Sequence, residues 1–479
     1  MGSASFEFLG FALAVAIVFN LGRTVAWRQA VLLIASIAFL AFFSLNPVSW
    51  LPLVAFLAFG FVSLRLMQSR TGRVGFVPLA AGAIATFVWL KKYSFLPAPV
   101  FLPFSYATLG LSYIFFRVLH LIIDAKDGTI LRPVSLTSYL NYILNFTTLL
   151  SGPIQRYQDF AEMHLAEAPL KLNVLIGGQA FERIVIGFFK VNVLSLFLSM
   201  AQTQALGRLS AAQSLQERTL NGIVIAASYP FYLYCNFSGY IDIVIGIARF
   251  LRLELPENFN RPFSSGNFLN FWSRWHITLS EWLKTYVYNP VLIGLMRRYA
   301  SRTAEPFLGV FAFFVTFFLV GLWHGQTSVF IFFGVLQGLG VSLTKLYQVM
   351  MSKRLGKTRY RSLANNAVYT IFARGLTFTW FAFTLLWFWS NWNQLSSVWG
   401  RLGSSSGVLV WICIFVGSSV LLAVWESARA WMLSFEWKSQ PFLLSRYVRT
   451  VWGTALFVLS VATEMLLNAP APDIVYKAF

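Results

Sequence analysis

The sequence predicts an all-α, polytopic membrane protein. Of its 479 residues, 57% are hydrophobic and only 11% are charged, whereas a soluble domain carries about 25% charged residues. The mean hydropathy is +0.66, and 18% of the residues are aromatic, including 49 Phe and 17 Trp. Such an aromatic content is typical of helices that face lipid and of their interfacial belts. The composition therefore excludes a soluble enzyme, a disordered chain and a disulfide scaffold.

Apolar runs long enough to cross a bilayer, about 20 residues each, follow one another along the whole chain. They predict roughly eleven to thirteen transmembrane helices and a single domain over residues 1–479, because no polar stretch is long enough to fold in water. The runs lie near 6–22, 29–45, 49–67, 75–92, 101–123, 137–152, 173–206, 220–250, 306–322, 326–348, 368–390, 407–432 and 447–467.

The charged residues are strongly biased towards cations. Lys and Arg number 37 against 17 Asp and Glu, which gives a net charge of +20. The cations cluster in short segments between apolar runs, at 65–73, 297–302 and 353–361. Short basic loops of this kind stay in the cytosol, where they meet anionic lipid. Membrane lipid is thus an expected partner and nucleic acid is not, because none of the clusters lies in an independent soluble domain.

Residues 256–292 differ in character from the apolar runs around them. Two prolines and Gly266 precede a run whose aromatic and leucine side chains recur at offsets of 3, 4, 7, 11, 14, 15 and 18, which predicts one stripe of a helix. Because the other side of that helix carries Asn270, Arg274 and Glu281, it cannot face lipid. The segment is either an interfacial helix or a re-entrant element beside a wet cavity. The stripe consists of Phe268, Phe271, Trp272, Trp275, Leu279, Trp282, Leu283 and Tyr286.

Two of the four histidines stand out as candidate catalytic residues. His324 lies between two apolar helices, with Gly321 and Gly325 close by, and His276 lies in the unusual segment. An ionisable residue within a membrane segment is costly and is a functional candidate by default. The alternative is a neutral imidazole hydrogen-bonded to a neighbour. We also expect Asp242, inside an apolar run, to pair with a cation such as Arg249 or Arg274.

Four stretches in order resemble the membrane-bound O-acyltransferase family, and in particular its bacterial branch that acylates polysaccharides. They define a signature core of about 145–350 within the single domain. The four stretches are SGPIQRYQDF at 151–160, YLYCNFSGYIDIVIGIARFLRLELPENFNRPF at 232–263, FWSRWHITLSEWLKTYVYNPV at 271–291 and GLWHG at 321–325.

The resemblance implies a fold, a reaction and partners. The fold is an all-helical bundle around a central tunnel, in a multi-pass protein of the bacterial inner membrane. His324 matches the histidine treated as the catalytic base, and His276 matches the second signature histidine. The acyl donor is a thioester, acetyl-CoA or an acyl carrier, that arrives from the cytosol, with no tightly bound cofactor and no metal. A periplasmic partner of the SGNH type and polysaccharide synthase machinery are expected to complete the transfer.

Acyl transfer from a thioester needs positioning, a base for the attacking hydroxyl and donors for the developing oxyanion. Imidazole can serve as base or as nucleophile, so direct attack and an acyl-histidine both stay open. The residues expected to shape the site or hold the thioester are Asn236, Trp272, Arg274, Trp275 and Trp323.

The expected product is an O-acetylated exopolysaccharide. Alginate and cellulose are equally good expectations, because the sequence departs from the alginate pattern at Asn236, Lys284-Thr285 and Gln337-Gly338. D-alanyl transfer to teichoic acid is the alternative within the enzyme class. A transporter or flippase is the alternative from another class, but it predicts polar residues spread over several helices rather than concentrated at 232–291 and 324.

Overall fold

The computed structural model describes residues 5–69, 75–299, 301, 304–437, 440–467 and 472. The basic clusters predicted at 65–73 and 297–302 therefore lie partly outside the described residues. Almost all regular structure in the described part of the chain is helical. A pair of two-residue antiparallel strands, β1 (Glu436–Trp437) and β2 (Gln440–Pro441), is the exception there.

The helices follow the predicted apolar runs, with several shorter helices between them. In chain order they are α1 Phe6–Leu21, α2 Val25–Ala41, α3 Leu51–Gln68, α4 Phe76–Leu90, α5 Leu111–Lys126, α6 Leu136–Ile143, α7 Tyr157–His164, α8 Val174–Phe189, α9 Leu196–Ala211, α10 Leu215–Phe250, α11 Phe268–Trp272, α12 Ile277–Leu283, α13 Asn289–Arg298, α14 Glu305–His324, α15 Ser328–Leu355, α16 Lys357–Ala364, α17 Ala367–Thr384, α18 Leu386–Trp389, α19 Trp392–Leu402, α20 Ser404–Ser434 and α21 Arg446–Leu467.

Eight helical stretches of the described residues are long and apolar enough to cross a membrane. Helices α1, α2 and α4 are also apolar but shorter, with 16, 17 and 15 residues. The prediction of an all-α, multi-pass membrane protein is confirmed. The predicted number of spans counts shorter apolar helices as well and stays a prediction, as does the central tunnel.

The described residues group into two compact units. Unit 1 comprises residues 5–191, 237–256 and 472, and unit 2 comprises residues 192–236 and 257–467. The boundary falls inside α10, which contributes to both. The single domain over 1–479 stays a prediction.

In unit 1, the span predicted at 137–152 is not one helix. Helix α6 ends at Ile143, and residues 144–156 have no long helix. The guanidinium of Arg117 on α5 is fully buried and donates to the carbonyl oxygens of Tyr142 (3.0 Å) and Ile143 (2.7 Å). It also donates to the backbone oxygen (2.9 Å) and hydroxyl (2.6 Å) of Thr148. Non-helical backbone at membrane depth is stable only where protein groups satisfy it, and Arg117 satisfies the carbonyls that α6 leaves open.

The partner predicted for Asp242 was wrong. Its carboxylate lies on α10 in unit 1 and accepts from Arg183 Nε at 2.9 Å and from Lys190 Nζ at 2.6 Å. Arg249 pairs with Glu254 instead. The side chain of Asp242 is only 14% exposed, so two cations from the α8 segment share one shielded anion. One carboxylate thus forms ion pairs with both cations.

We expect Asp242→Asn to destabilise the protein. The amide keeps the shape of the side chain but removes the carboxylate that accepts from Arg183 and Lys190, and loss of a shielded ion pair costs about 3 kcal/mol. The apparent Tm in detergent, followed by intrinsic tryptophan fluorescence, should fall by about 3 °C.

Glu254→Gln is the matched control. It also removes one carboxylate from an ion pair, but both partners are exposed, Arg249 by 37% and Glu254 by 54%, and exposed pairs contribute below about 1 kcal/mol. Equal Tm values for the two variants would contradict the role assigned to Asp242.

Candidate active site

His324 is the last residue of α14, and its imidazole is enclosed by aromatic rings of unit 2. The ring centroids of Trp323, Phe388 and Phe333 lie 4.6, 5.0 and 5.9 Å away. The residue is 2% exposed. Aromatic walls exclude water. Electrostatic interactions at the imidazole, including its hydrogen bonds, are therefore stronger than they would be in water.

The close approach of α14 and α15 fixes the position of His324. A Cβ on Gly321 would overlap the backbone of Gly334, and a Cβ on Gly325 would overlap the ring of Phe330. Glycines of this kind let two membrane helices pack backbone against backbone. The two helices are joined by only Gly325–Thr327, so His324 stands at a tightly packed turn rather than on a mobile loop.

The predicted helical stripe over residues 268–286 is interrupted, and this expectation was wrong. Helix α11 ends at Trp272, α12 starts at Ile277, and the residues between them pair with an extended segment. Phe259 and Trp275 form an isolated antiparallel bridge. The amide of Asn260 donates to Arg274 O at 2.9 Å, and that of Ile277 donates to Asn258 O at 3.0 Å. The polar backbone of the break is thus satisfied within unit 2.

His276 occupies the break and has a left-handed backbone conformation, with φ of 46°. It is 1% exposed, and its Nδ1 lies 3.2 Å from Oδ1 of Asn258. Its ring centroid lies 6.5 Å from that of Trp323, and the ring centroids of Trp323 and His324 lie 4.6 Å apart. The structure therefore brings His276, Trp323 and His324 together around one indole.

The two other predicted tryptophans support this centre from α11 and the break. Trp272 is buried, and its indole N–H donates to Gln337 Oε1 at 3.3 Å. Gln337 Nε2 in turn donates to Thr384 Oγ1 at 2.8 Å. Trp275 packs against Phe381 with 5.0 Å between ring centroids. These contacts make both tryptophans part of the wall that holds the segment in place.

Asn236 and Arg274 differ in their burial. Asn236 is fully buried on α10. Arg274 is half-buried, and within the described residues its one side-chain hydrogen bond is from Nε to Asn270 Oδ1, at 3.3 Å. Its backbone, rather than its charge, takes part in the pairing that shapes the break.

An apolar cavity of about 580 Å³ lies in unit 2 beside α11, α15, α17 and α20. The hydroxyls of Thr344 and Thr377 in its wall donate to carbonyls of their own helices. Neither His276 nor His324 is among its described lining residues, so we assign the cavity no role in the reaction. The described residues contain no group of three or more His, Cys, Asp or Glu side chains suited to a metal ion.

Sequence reasoning missed Asn258, which contacts a candidate histidine, and noted Gln337 only as a departure from the alginate pattern. Both side chains are fully buried, and both hydrogen-bond a predicted site residue. Gln337 could have been found from the sequence, because an uncharged polar residue within an apolar helix such as α15 is a candidate for a functional role. Asn258 carries none, because its neighbours Pro256 and Asn260 mark it as an ordinary loop residue.

Comparison with known proteins identifies the family. The profile of the membrane-bound O-acyltransferase family matches residues 126–388, which is more than half of the chain and includes both candidate histidines. The chain belongs to the membrane-bound O-acyltransferase family. The resemblance drawn from the four sequence stretches is thereby confirmed.

Several curated proteins are similar to this chain. The teichoic acid D-alanyltransferase of Bacillus subtilis is 30% identical over 274 residues, which cover 56% of this chain and 65% of that protein. The peptidoglycan O-acetyltransferase of Helicobacter pylori is 32% identical over 220 residues, 44% and 38% of the two chains. The probable alginate O-acetylase of Pseudomonas aeruginosa is 28% identical over 250 residues, 52% and 44%. The matches thus span less than two thirds of the length of each of these relatives.

We expect Gly321→Ala in this family member to separate α14 from α15 and to destabilise the turn that carries His324. Overpacking of a tight contact costs about 1–3 kcal/mol, so the apparent Tm should fall by about 1–3 °C. The shift is read from a thermal scan of the purified protein.

Gly294→Ala is the control, because a Cβ at this α13 position meets nothing within 4 Å. Replacing an exposed helical glycine by alanine stabilises by about 0.5–1 kcal/mol, so its Tm should stay constant or rise. A Tm for Gly321→Ala no lower than that of Gly294→Ala would argue against the close packing.

Proposed function

We propose that this protein is an O-acyltransferase of the inner membrane that takes acetyl groups from cytosolic acetyl-CoA for the O-acetylation of an exopolysaccharide such as alginate or cellulose. The observation that carries the proposal is the convergence of His276 and His324 on the indole of Trp323. Both histidines are buried, and both lie within the part of the chain that matches the family profile.

The chemistry needs a base in a site without water. An acceptor hydroxyl attacks the carbonyl carbon of the thioester, and an imidazole, assigned by resemblance to His324, accepts the hydroxyl proton. The carbon–sulfur bond then breaks, the ester is released, and the thiolate takes the proton back from the imidazolium. Aromatic walls around His324 disfavour hydrolysis of the thioester, since they exclude competing water.

The proposed acyl donor and acyl acceptor lie on opposite sides of the membrane. Acetyl-CoA, or an acyl-carrier thioester, is a substrate that comes from the cytosol, and no tightly bound cofactor is required. The acetyl group passes to a periplasmic SGNH-type acetyltransferase that works with the polysaccharide synthase. The names of the O-acetylating relatives in Helicobacter and Pseudomonas support acetyl as the transferred group.

D-alanyl transfer to teichoic acid is the second candidate function. It is favoured by the relative in Bacillus subtilis, whose identity of 30% is similar to that of the O-acetylating relatives and extends over more of this chain. The two functions share the base and the thioester and differ in the acyl group and its carrier, so one assay with two donors separates them.

The test is transfer of label by the purified protein in nanodiscs. With radiolabelled acetyl-CoA, we expect label on a candidate periplasmic partner or acceptor glycan, and none when the membrane protein is omitted. Transfer from a D-alanyl carrier instead of acetyl-CoA would favour the second candidate. An absence of transfer from both donors would refute acyl transfer with these substrates.

His324→Ala should reduce acetyl transfer by at least about 100-fold, because removal of a general base costs 10²–10⁴-fold. The matched control is His164→Asn, which removes an equally buried histidine of unit 1 that stacks on Phe160 with 4.8 Å between ring centroids. This control should retain transfer. Retained transfer by a folded His324→Ala variant would overturn the assignment of the base.

A further inference from the structure

The apolar cavity of about 580 Å³ in unit 2 opens towards the side of its helices that lipid covers. Leu343 on α15 and Phe372 and Leu376 on α17 line it, and their side chains are 55%, 52% and 63% exposed. Both helices are long and apolar enough to cross a membrane, and exposed apolar side chains of such helices face lipid chains. The cavity is therefore accessible from the bilayer, and its volume is within the range of about 300–1,000 Å³ that is usual for ligand pockets.

The cavity extends along its helices for about the depth of one lipid leaflet. Its lining runs from Gly340 to Tyr347 on α15 and from Tyr369 to Trp380 on α17. At a rise of about 1.5 Å per residue, these ranges span about 10 Å and about 16 Å. The hydrocarbon core of a bilayer is about 30 Å thick, so one leaflet is about 15 Å deep. The cavity thus has the length and the apolar lining that suit one phospholipid acyl chain.

Tyrosine side chains mark the end of the cavity that lies nearest to α16. The hydroxyl of Tyr369 donates to that of Tyr347 at 3.4 Å. The ring of Tyr360 on α16 packs beside Tyr347, with 6.4 Å between ring centroids. Tyrosine is enriched at the level of lipid headgroups, because its ring is apolar and its hydroxyl is polar. The headgroup of a lipid with a chain in the cavity would therefore lie at this end.

Positive charge is concentrated beside the same end of the cavity. Residues 345–361 contain six Lys and Arg and no Asp or Glu. Lys357, Arg359 and Arg361 on α16 are exposed, and none of the three forms an ion pair with another described residue. Clusters of Lys and Arg beside a membrane helix bind anionic lipid headgroups. A phosphate at this end of the cavity would thus meet cations that no carboxylate neutralises.

We propose that unit 2 binds one anionic phospholipid of the surrounding bilayer, with an acyl chain in the cavity and its phosphate at Lys357, Arg359 and Arg361. The site is more specific than the general attraction of basic loops to anionic lipid, because it requires both the chain and the phosphate. The bound chain fills space that the side chains of α15, α17 and α20 leave open, so it stabilises their packing. The proposal does not rest on acyl transfer, since the described lining of the cavity includes neither candidate histidine.

The first test counts bound lipid on the purified full-length protein by native mass spectrometry. Dioleoyl phosphatidylglycerol, dioleoyl phosphatidylethanolamine and oleate are titrated separately, so that the chain is constant and the headgroup varies. We expect one phosphatidylglycerol to bind at least about 10-fold more tightly than either of the others, because each nearby cation strengthens the binding of an anionic headgroup about 5-fold. Equal affinity for phosphatidylethanolamine would overturn the anionic headgroup, and equal affinity for oleate would overturn the phospholipid.

Ala373→Trp tests the cavity. Ala373 lines the cavity on α17, and an indole there occupies the space assigned to the acyl chain. The matched control is Ala367→Trp, which adds the same ring at an exposed position of the same helix, outside the described lining. We expect Ala373→Trp to lose the tight phosphatidylglycerol site and Ala367→Trp to keep it. Retention of that site by folded Ala373→Trp would overturn the assignment of the chain to this cavity.

The double variant Arg359→Gln, Arg361→Gln tests the headgroup site. It should weaken phosphatidylglycerol binding by about 25-fold, or about 5-fold per cation, and leave phosphatidylethanolamine binding unchanged. The matched control is Arg297→Gln, Arg298→Gln, which removes two exposed cations from α13 and changes the net charge equally. We expect the control to bind phosphatidylglycerol as the wild type does. Equal losses in the two double variants would overturn the site in favour of attraction by net charge, whether or not Ala373→Trp folds.

Discussion

Hydrogen bonds from buried side chains to non-helical backbone are the interactions on which the irregular parts of this protein depend. A helix in a membrane satisfies its own backbone, but a loop at the same depth must find donors and acceptors in the protein. In unit 1, Arg117 supplies donors to the carbonyls at the end of α6. In unit 2, the side-chain Oδ1 of Asn258 accepts from the amide of Thr278 in the first turn of α12. In each unit one side chain thus permits a break that apolar packing alone does not stabilise.

The membrane helices and the candidate histidines could be predicted from sequence because their signals are local. A run of apolar residues predicts a helix wherever it packs, and a histidine between such runs stands out through the cost of its burial. The positions of His276 and His324 in the structure agree with those signals. Their shared contact with Trp323 adds what the sequence could not supply, namely that the two histidines belong to one centre.

The partners of the polar residues could not be predicted because they come from distant parts of the chain. Asp242 pairs with residues 59 and 52 positions away, although cations closer in sequence were available. Asn258 is 18 positions from His276. The helical stripe failed for the same reason, since its period is correct within α11 and α12 but the bridge between Phe259 and Trp275 imposes a different backbone between them.

The left-handed backbone of His276 connects the fold to the chemistry. This conformation costs a non-glycine residue about 1–2 kcal/mol, and glycine would adopt it without that cost. The hydrogen bonds that Asn258 makes to residues 276–278, at about 0.5–1.5 kcal/mol each, are sufficient to offset it. A glycine at this position would keep the turn but lose the imidazole. The left-handed backbone of His276 thus occurs where Nδ1 contacts Asn258 Oδ1, the oxygen that also accepts from the amide of Thr278 in α12.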